Sequence, residues 1–303
     1  MAKYLAVIGK TEYLKLYGRK IGIWELLEYQ PSGWLCSLAF KQSLIPNALI
    51  LWDCGAYSYR YLDIPKLRGN LATPKWAIHE YKERSRIGDI IVAPDSLLLG
   101  NNINQRRRFN YESAARFIEF TAELEGRLLM AVVHGLTVEE RLERGIELYN
   151  LGYKALGIGG LVPEASNKRR NIHIIQTVVE ELQKLPSKIW IHIFGLSAPA
   201  YAKAFHQLGV TSFDGASHFK EAFSAGSFFL ASGEKLIKHK AVKPGEIPTA
   251  HLCNCLCCLT LRKAGIDTRR YGSNQNNKGR AIHNLNQLII AQQNAISHKN
   301  CQP

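Results

Sequence analysis

Two groups of residues in this chain have types and spacings suited to chemistry. The first is CNCLCC at residues 253–258, which places four of the seven cysteines in six positions, with His283 following in an HNL triplet. Clustered thiols in a reducing compartment bind metal more often than they pair. Cys253, Cys255 and Cys258 are spaced C-x-C-x2-C, and His283 follows at a loop-sized distance. Three thiolates and an imidazole fill a tetrahedral zinc shell and leave no position for water, which makes the site a structural type rather than a catalytic one. The competing reading is a chance cysteine cluster with a surface histidine. Cys257 has two readings: a substitute ligand, or a side chain that points away.

The second group lies at the ends of short apolar runs: Asp53 after ALILW, Asp95 after DIIVA and His134-Gly135 after LLMAVV. Gly159-Gly160-Leu161 follows ALGI, Phe194-Gly195 closes IWIHIF, and Asp214 follows TSF. Each alone is an ordinary start to a loop; in series they suggest one site. Asp53 and Asp214 fit a carboxylate pair for displacement at a sugar anomeric carbon, one attacking and the other moving protons on the leaving group. Tyr57 and Phe194 fit two faces of a slot for a flat ring. Asp95 fits an acceptor for the N–H groups of a purine-like edge, and His134 with the Gly160 amide fits its carbonyl oxygen.

These residues need a scaffold that gathers strand ends. The apolar runs 48–52, 89–93, 128–133, 155–158, 189–194 and 211–213 read as buried strands. Helical patterns fall between them at 73–86, 112–126, 138–152, 167–185 and 198–208. Strand–helix alternation argues for parallel strands with right-handed crossovers. Six such units predict a (β/α)8 TIM barrel, in which the C-terminal strand ends share one mouth. The expected division is a catalytic barrel over 1–245 and a small zinc-binding subdomain with a C-terminal helix over 246–303; segments 1–45 and 220–250 carry the weakest patterns.

With 303 residues and 46% hydrophobic content the chain can bury a large core. Lys and Arg outnumber Asp and Glu by 39 to 25, a formal charge of +14. That excess points to a polyanionic partner, nucleic acid first, unless it serves only as a solvated surface. The basic runs are Arg106–Arg108, Lys168–Arg170, Lys235–Lys243 and Arg262–Arg270. A base-sized slot within a basic surface implies a nucleotide turned out of its polymer. The opening MAKYLAVIGK lacks a signal-peptide h-region, and no apolar run is long enough to span a bilayer. The expectation is a cytoplasmic protein without a membrane partner.

The motifs resemble those of the tRNA-guanine transglycosylase family, barrel enzymes with a zinc subdomain that exchange guanine for a 7-deazaguanine. WDCGAYSY (52–59) resembles the family's DSGGFQ segment and LGIGGLVP (156–163) its AIGGL segment. GVTSFDGAS (209–217) resembles its G-x-D-x-FD segment, and CNCLCC…HNL its zinc site. The resemblance implies that Asp214 is the nucleophile and Asp53 the general acid/base. Asp95 would read the base edge, Gly160 and Leu161 would complete the pocket with backbone groups, and Tyr57 and Phe194 would stack. Cys253, Cys255, Cys258 and His283 would hold structural Zn2+. The departures also carry information. His134 stands where the tRNA enzymes carry glutamine, Cys54 and Ala56 replace serine and glycine, and the segments 92–100 and 213–223 are recast. This compact pattern is similar to the DpdA-type DNA-guanine transglycosylases, which implies DNA ahead of tRNA as the polymer and a preQ0-like 7-deazaguanine as the incoming base. A homodimer and accessory proteins that open the duplex are further partners of this reading. The alternatives are a tRNA enzyme, a non-catalytic nucleic-acid-binding paralogue, or an unrelated barrel hydrolase with catalytic zinc.

Overall fold

The computed structural model describes residues 1–9, 12–243, 245–248 and 253–297, so the expected 246–303 subdomain lies partly outside the described residues. Eight parallel strands close into a barrel: β1 (Lys3–Ile8), β2 (Gly33–Ser37), β3 (Ile50–Asp53), β4 (Ile90–Val92), β5 (Leu128–Val133), β6 (Ala155–Ile158), β7 (Trp190–Ile193) and β8 (Ser212–Gly215). β1 closes the ring, pairing with β8 through Lys3 opposite Ser212 and with β2 through Leu5 opposite Gly33. The expected TIM barrel is present, and its six sequence-legible strands are β3 to β8.

The weakly patterned first 45 residues supply the other two strands. Their connection is not helical: an antiparallel hairpin (Tyr13–Leu16 with Arg19–Gly22) and a single 3-10 turn (Ile23–Leu26) stand between β1 and β2. No described helix joins β2 to β3. Without strand–helix alternation, the periodicity that exposes the later units is missing. The later crossovers are α1 (Pro74–Arg84), α2 (Ile103–Ile118), α3 (Val138–Asn150), α4 (Lys168–Leu182) and α5 (Pro199–Gln207). α2 begins nine residues before the expected 112 and ends at Ile118, with a 3-10 turn at Thr121–Leu124. Its inner face buries Arg106 and Asn110 beside Ala114 and Phe117, so polar residues occupy positions that an apolar pattern would mark.

Inside the barrel, Leu5, Leu35, Leu51, Val92, Met130 and Val132 form a separate apolar core within the ring. Side chains alternate across a strand, so Asp53, His134, Phe194 and Asp214 share the inward direction of Leu51, Val132, Trp190 and Ser212. Gly157 makes room there, since a Cβ on it would meet the Phe194 ring at 2.3 Å.

After β8 come α6 (Ser217–Phe223), an antiparallel hairpin of β9 (Ser227–Ser232) with β10 (Lys235–Lys240), α7 (Leu256–Lys263) and α8 (Asn274–Ser297). α8 packs against α5, α6 and β9 and is buried on nearly every side from Gly279 to Ile289. Its polar side chains are backbone clamps. Asn284 accepts from Phe229 N (2.8 Å) and donates to Ser227 O (3.0 Å) and His218 O (3.3 Å). Gln292 donates to Ser197 O (2.6 Å), and Arg280 binds the carbonyls of Ala222, Thr268 and Arg270. Such groups satisfy main-chain atoms that burial would otherwise orphan. Asn284→Ala removes one acceptor and two donors at once and should lower stability by about 2–3 kcal/mol, read as a reduced midpoint in denaturant titration; an unchanged midpoint would deny the clamp its role.

Candidate active site and metal centre

The mouth of the barrel is built by short loops on the C-terminal strand ends. Asp53 ends β3, and its Oδ2 accepts from the Gly55 amide at 2.9 Å. Gly55 has φ +94°, a left-handed conformation suited to glycine, and opens the 3-10 turn Ala56–Tyr59. Lost hydration, then the neighbouring charge of Asp95 and the weaker one of Asp214, push the Asp53 carboxyl up to about 7; the Gly55 and Ser37 hydrogen bonds oppose this. A carboxyl at that level exists in both forms near neutrality, as proton transfer in two directions requires.

Asp95 is fixed from three directions. Its Oδ1 accepts from the Cys54 thiol at 2.8 Å, its Oδ2 lies 2.5 Å from His134 Nε2, and its carbonyl accepts from the Tyr59 hydroxyl at 2.6 Å. Burial, then the nearby carboxylates, push the Cys54 thiol well above its ordinary range and keep it a donor. The next residue is clamped too: Asn110 accepts from Ser96 N and donates to Ser96 O, and Arg106 donates to Ser96 Oγ. The segment recast relative to the family is therefore a rigid shelf. Cys54, Tyr59, Asn110 and Arg106 were not singled out from the sequence as parts of the site. Cys54 and Tyr59 lie within the WDCGAYSY motif, whereas polarity beside apolar runs is the sequence signal for Asn110 and Arg106.

His134 continues β5 and turns its second nitrogen toward Gly160, where an added Cβ would sit 3.5 Å from Nδ1. Gly160 has φ +77°. Arg141 on α3, almost fully buried, donates to Gly159 O at 2.8 Å and so holds this turn; burial lowers its guanidinium to about 10. Leu161 sends its side chain into the core. Beside His134 opens a cavity of about 210 Å³ lined by Val132, Asn110, Arg107, Glu140 and Arg144.

Phe194 packs its ring edge-on against His192, with centroids 4.4 Å apart. Tyr57 stands exposed at the mouth with the Arg60 guanidinium 3.9 Å over its ring. Asp214, only 5% exposed, receives two hydrogen bonds on Oδ1: from the Gly195 amide (2.9 Å) and His192 Nε2 (3.1 Å). His192 is another member that sequence reasoning missed; a histidine inside IWIHIF was its only signal.

The second constellation lies between α7 and α8. One ligand atom each from Cys253, Cys255, Cys258 and His283 lies within 4.8 Å of the others. Nδ1 of His283 is 3.2 Å from Cys258 Sγ and 3.8 Å from Cys255 Sγ. A tetrahedral zinc with bonds of about 2.1–2.3 Å implies ligand separations of roughly 3.5–3.8 Å, so the donor set fits such an ion with small adjustments. His283 Nε2 lies 2.6 Å from Phe229 O and donates to it, which directs the Nδ1 lone pair at the thiolates. Cys257 is fully buried in the hydrophobic core and is not one of the four clustered donors. The HNL triplet thus divides into an imidazole facing the cysteines, a backbone clamp and a core leucine.

The basic runs do not behave alike. Arg106 is buried and internally bonded, which removes it from any phosphate-facing surface. Arg107 pairs with Glu140 and Arg170 with Glu164. Arg262 donates to Cys253 O at 2.7 Å and to Asn254, bracing the metal loop, and Asp267 engages Arg269 and Arg270. Lys168 and Arg169 at the head of α4 and the lysines of β10 are exposed.

The model of the family described as queuine tRNA-ribosyltransferase matches residues 87–295, more than half of the chain, and the protein belongs to this family. A DNA-guanine transglycosylase from Salmonella montevideo is 24% identical over 182 residues, covering 58% of this chain and 42% of that protein. The match therefore spans less than half of the relative's length. No helix among the described residues is long and apolar enough to cross a membrane.

Asp53 gives a test of the electrostatics. Its carboxyl rises from an ordinary value near about 4 to about 7 in the fold. A group raised in this way favours folding when protonated, so its contribution is complete below pH about 4 and is lost as pH rises through about 7. Asp53→Asn should accordingly gain thermal stability relative to the parent between pH 4 and pH 8. Parallel melting-temperature profiles for the two proteins would contradict the shift.

Proposed function

We propose that this protein is a base-exchange transglycosylase that removes guanine from a nucleic acid and installs a 7-deazaguanine of the preQ0 kind, with DNA as the polymer. The observation that carries the reading is the pairing of two different carboxyls at one barrel mouth: Asp214, held on one oxygen by two donors, and Asp53, poised near neutrality. Membership of the family supports the reaction class. The name of the Salmonella relative, together with the recast 92–100 and 213–223 segments, favours DNA over tRNA.

In this reading the free Oδ2 of Asp214 attacks the sugar C1′ as the bond to guanine breaks. The protonated Asp53 carboxyl delivers the proton that the departing base requires. The incoming base then loses a proton to the Asp53 carboxylate and displaces Asp214 from C1′. Two displacements retain the β configuration, which a single one would invert. Asp95 and His134, locked together at 2.5 Å, present a fixed edge for base recognition. A site built this way strongly rejects analogues that lack the matching groups, because its own polar atoms are left unpaired. Phe194 and Tyr57 supply apolar faces, and base stacking on an aromatic is worth about 1–3 kcal/mol. The exposed lysines and arginines of α4 and β10 attract phosphates.

The Cys253, Cys255, Cys258 and His283 set is assigned to a structural Zn2+, which when bound ties α7 to α8 and, through Phe229, to the β9 hairpin. One zinc per chain should be found by metal analysis of protein purified without chelators. Cys258→Ser should lose it with a large drop in stability, since such ligation supplies on the order of 10 kcal/mol to local folding. Cys257→Ala should retain it. Protein without zinc, or Cys257→Ala without zinc and Cys258→Ser with it, would reassign the site.

The activity is tested by incubating the protein with radiolabelled guanine and duplex DNA, single-stranded DNA or bulk tRNA. Label should enter DNA; label in tRNA alone would make it a tRNA enzyme, and label in none would leave a non-catalytic binder. With DNA and a poor acceptor base, a denaturation-resistant adduct should form and map to residues 209–217. It should vanish in Asp214→Ala, with exchange falling below detection, and its persistence there would move the nucleophile elsewhere.

A further inference from the structure

The barrel interior holds a line of polar side chains, used by neither the resemblance nor the proposed chemistry, that ends on Asp214. Trp190 Nε1 lies 2.7 Å from Ser212 Oγ, Ser212 Oγ lies 2.8 Å from His192 Nδ1, and His192 Nε2 lies 3.1 Å from Asp214 Oδ1. The line crosses between neighbouring strands: His192 of β7 stands in register with Ser212 of β8, two residues before Asp214. Ser212 and His192 are both fully buried. Water and surface charge therefore do not decide which atom donates.

The first member decides it. An indole nitrogen is only ever a donor, so Ser212 Oγ accepts from Trp190. The hydroxyl hydrogen of a buried serine needs an acceptor, and the one within reach among the described residues is His192 Nδ1. Nδ1 must then carry a lone pair, the imidazole is neutral, and its hydrogen sits on Nε2, directed at Asp214 Oδ1. An imidazolium donating from both nitrogens would force Ser212 Oγ to accept two hydrogen bonds and would strand its own hydrogen in the core. The Phe194 ring packs against the imidazole with centroids 4.4 Å apart.

We propose that His192 is a positioning residue for the nucleophile: the Trp190–Ser212–His192 chain locks it as the Nε2–H tautomer, which with the Gly195 amide pins Asp214 Oδ1 and leaves Oδ2 as the attacking atom. The proposal rests on Asp214 being the nucleophile. Holding one carboxylate oxygen by two donors fixes the plane of the group and the direction of the other oxygen, so less orientational freedom is lost when the carboxylate approaches C1′. A neutral donor does this without adding a full positive charge that would weaken the attacking carboxylate. Asn or Gln at the same place donates a hydrogen bond too, but nothing in the Trp190–Ser212 pair would hold its amide in one orientation.

Two measurements on the full chain test this. Nitrogen-15 NMR of histidine-labelled protein, with the His192 signals assigned by their loss in His192→Gln, should show the Nε2–H tautomer in the parent. In Ser212→Ala, which removes the donor to Nδ1, the signals should shift toward a tautomeric mixture. An Nδ1–H tautomer or an imidazolium in the parent at neutral pH would overturn the chain. The second measurement is the rate of trapped-adduct formation on residues 209–217. His192→Phe should slow it about 10- to 100-fold, the kinetic size of one lost charge-assisted hydrogen bond, with KM for the incoming base unchanged. His192→Gln should recover part of the loss, and the melting temperature of each variant guards against simple unfolding. An adduct in the parent that forms equally fast in folded His192→Phe and His192→Gln would defeat the positioning role alone. Absence of any adduct in the parent would instead withdraw the nucleophile reading, and the proposal with it.

Discussion

The site depends on closure of the ring at β1. That strand pairs with β8 on one side and β2 on the other, and in a ring without edges the pleat of each strand is locked to its neighbours. The inward direction is therefore shared: Leu51 fixes Asp53, Val132 fixes His134, and Ser212 fixes Asp214. A slip of one residue in any strand would turn a whole set of side chains outward. Tyr4 reinforces the seam by donating from its hydroxyl to Gly215 O at 3.1 Å, directly beyond Asp214. Two carboxyls more than 150 residues apart in sequence thus come to one mouth.

Closure alone leaves the mouth loops unsupported, and buried polar side chains do that work. Arg106 and Asn110 hold the Asp95–Ser96 shelf, and Arg141 holds Gly159. On the far side, α8 reaches both centres. Asn284 ties β9 to the carbonyl of His218 in α6, the helix that follows β8, while its neighbour His283 faces the cysteine cluster. Phe229 receives both, its amide bonding Asn284 and its carbonyl His283. The cysteine–histidine cluster and α6, the helix that follows the Asp214 strand, are therefore tied to one hairpin.

The excess positive charge has a mixed use. Several arginines that add to the formal charge are consumed inside the molecule: Arg106 and Arg262 from the basic runs, and Arg141 and Arg280 outside them. A planar guanidinium with five donors suits the satisfaction of several carbonyls at once. Exposed cations remain on α4 and β10, and also on the first hairpin at Lys15, Arg19 and Lys20.

The sequence by itself determined what local pattern can encode. Alternating apolar runs specified β3 to β8, the C-x-C-x2-C spacing and HNL pointed to the four clustered donor residues, and strand-end positions pointed to Asp53, Asp95, His134 and Asp214. It could not reveal β1 and β2, because among the described residues no α-helix separates them and the strand–helix rhythm that signals a barrel is missing there. It also misplaced the start of α2, where Arg106 and Asn110 sit on the buried face. The remaining members of the site, Cys54, Tyr59, Arg141 and His192, were settled only by tertiary structure. Each is polar and buried, and its role is fixed by partners lying far away along the chain or on a neighbouring strand. Hydrophobic period reports which residues leave water, whereas the direction of a hydrogen bond depends on who meets whom across the fold.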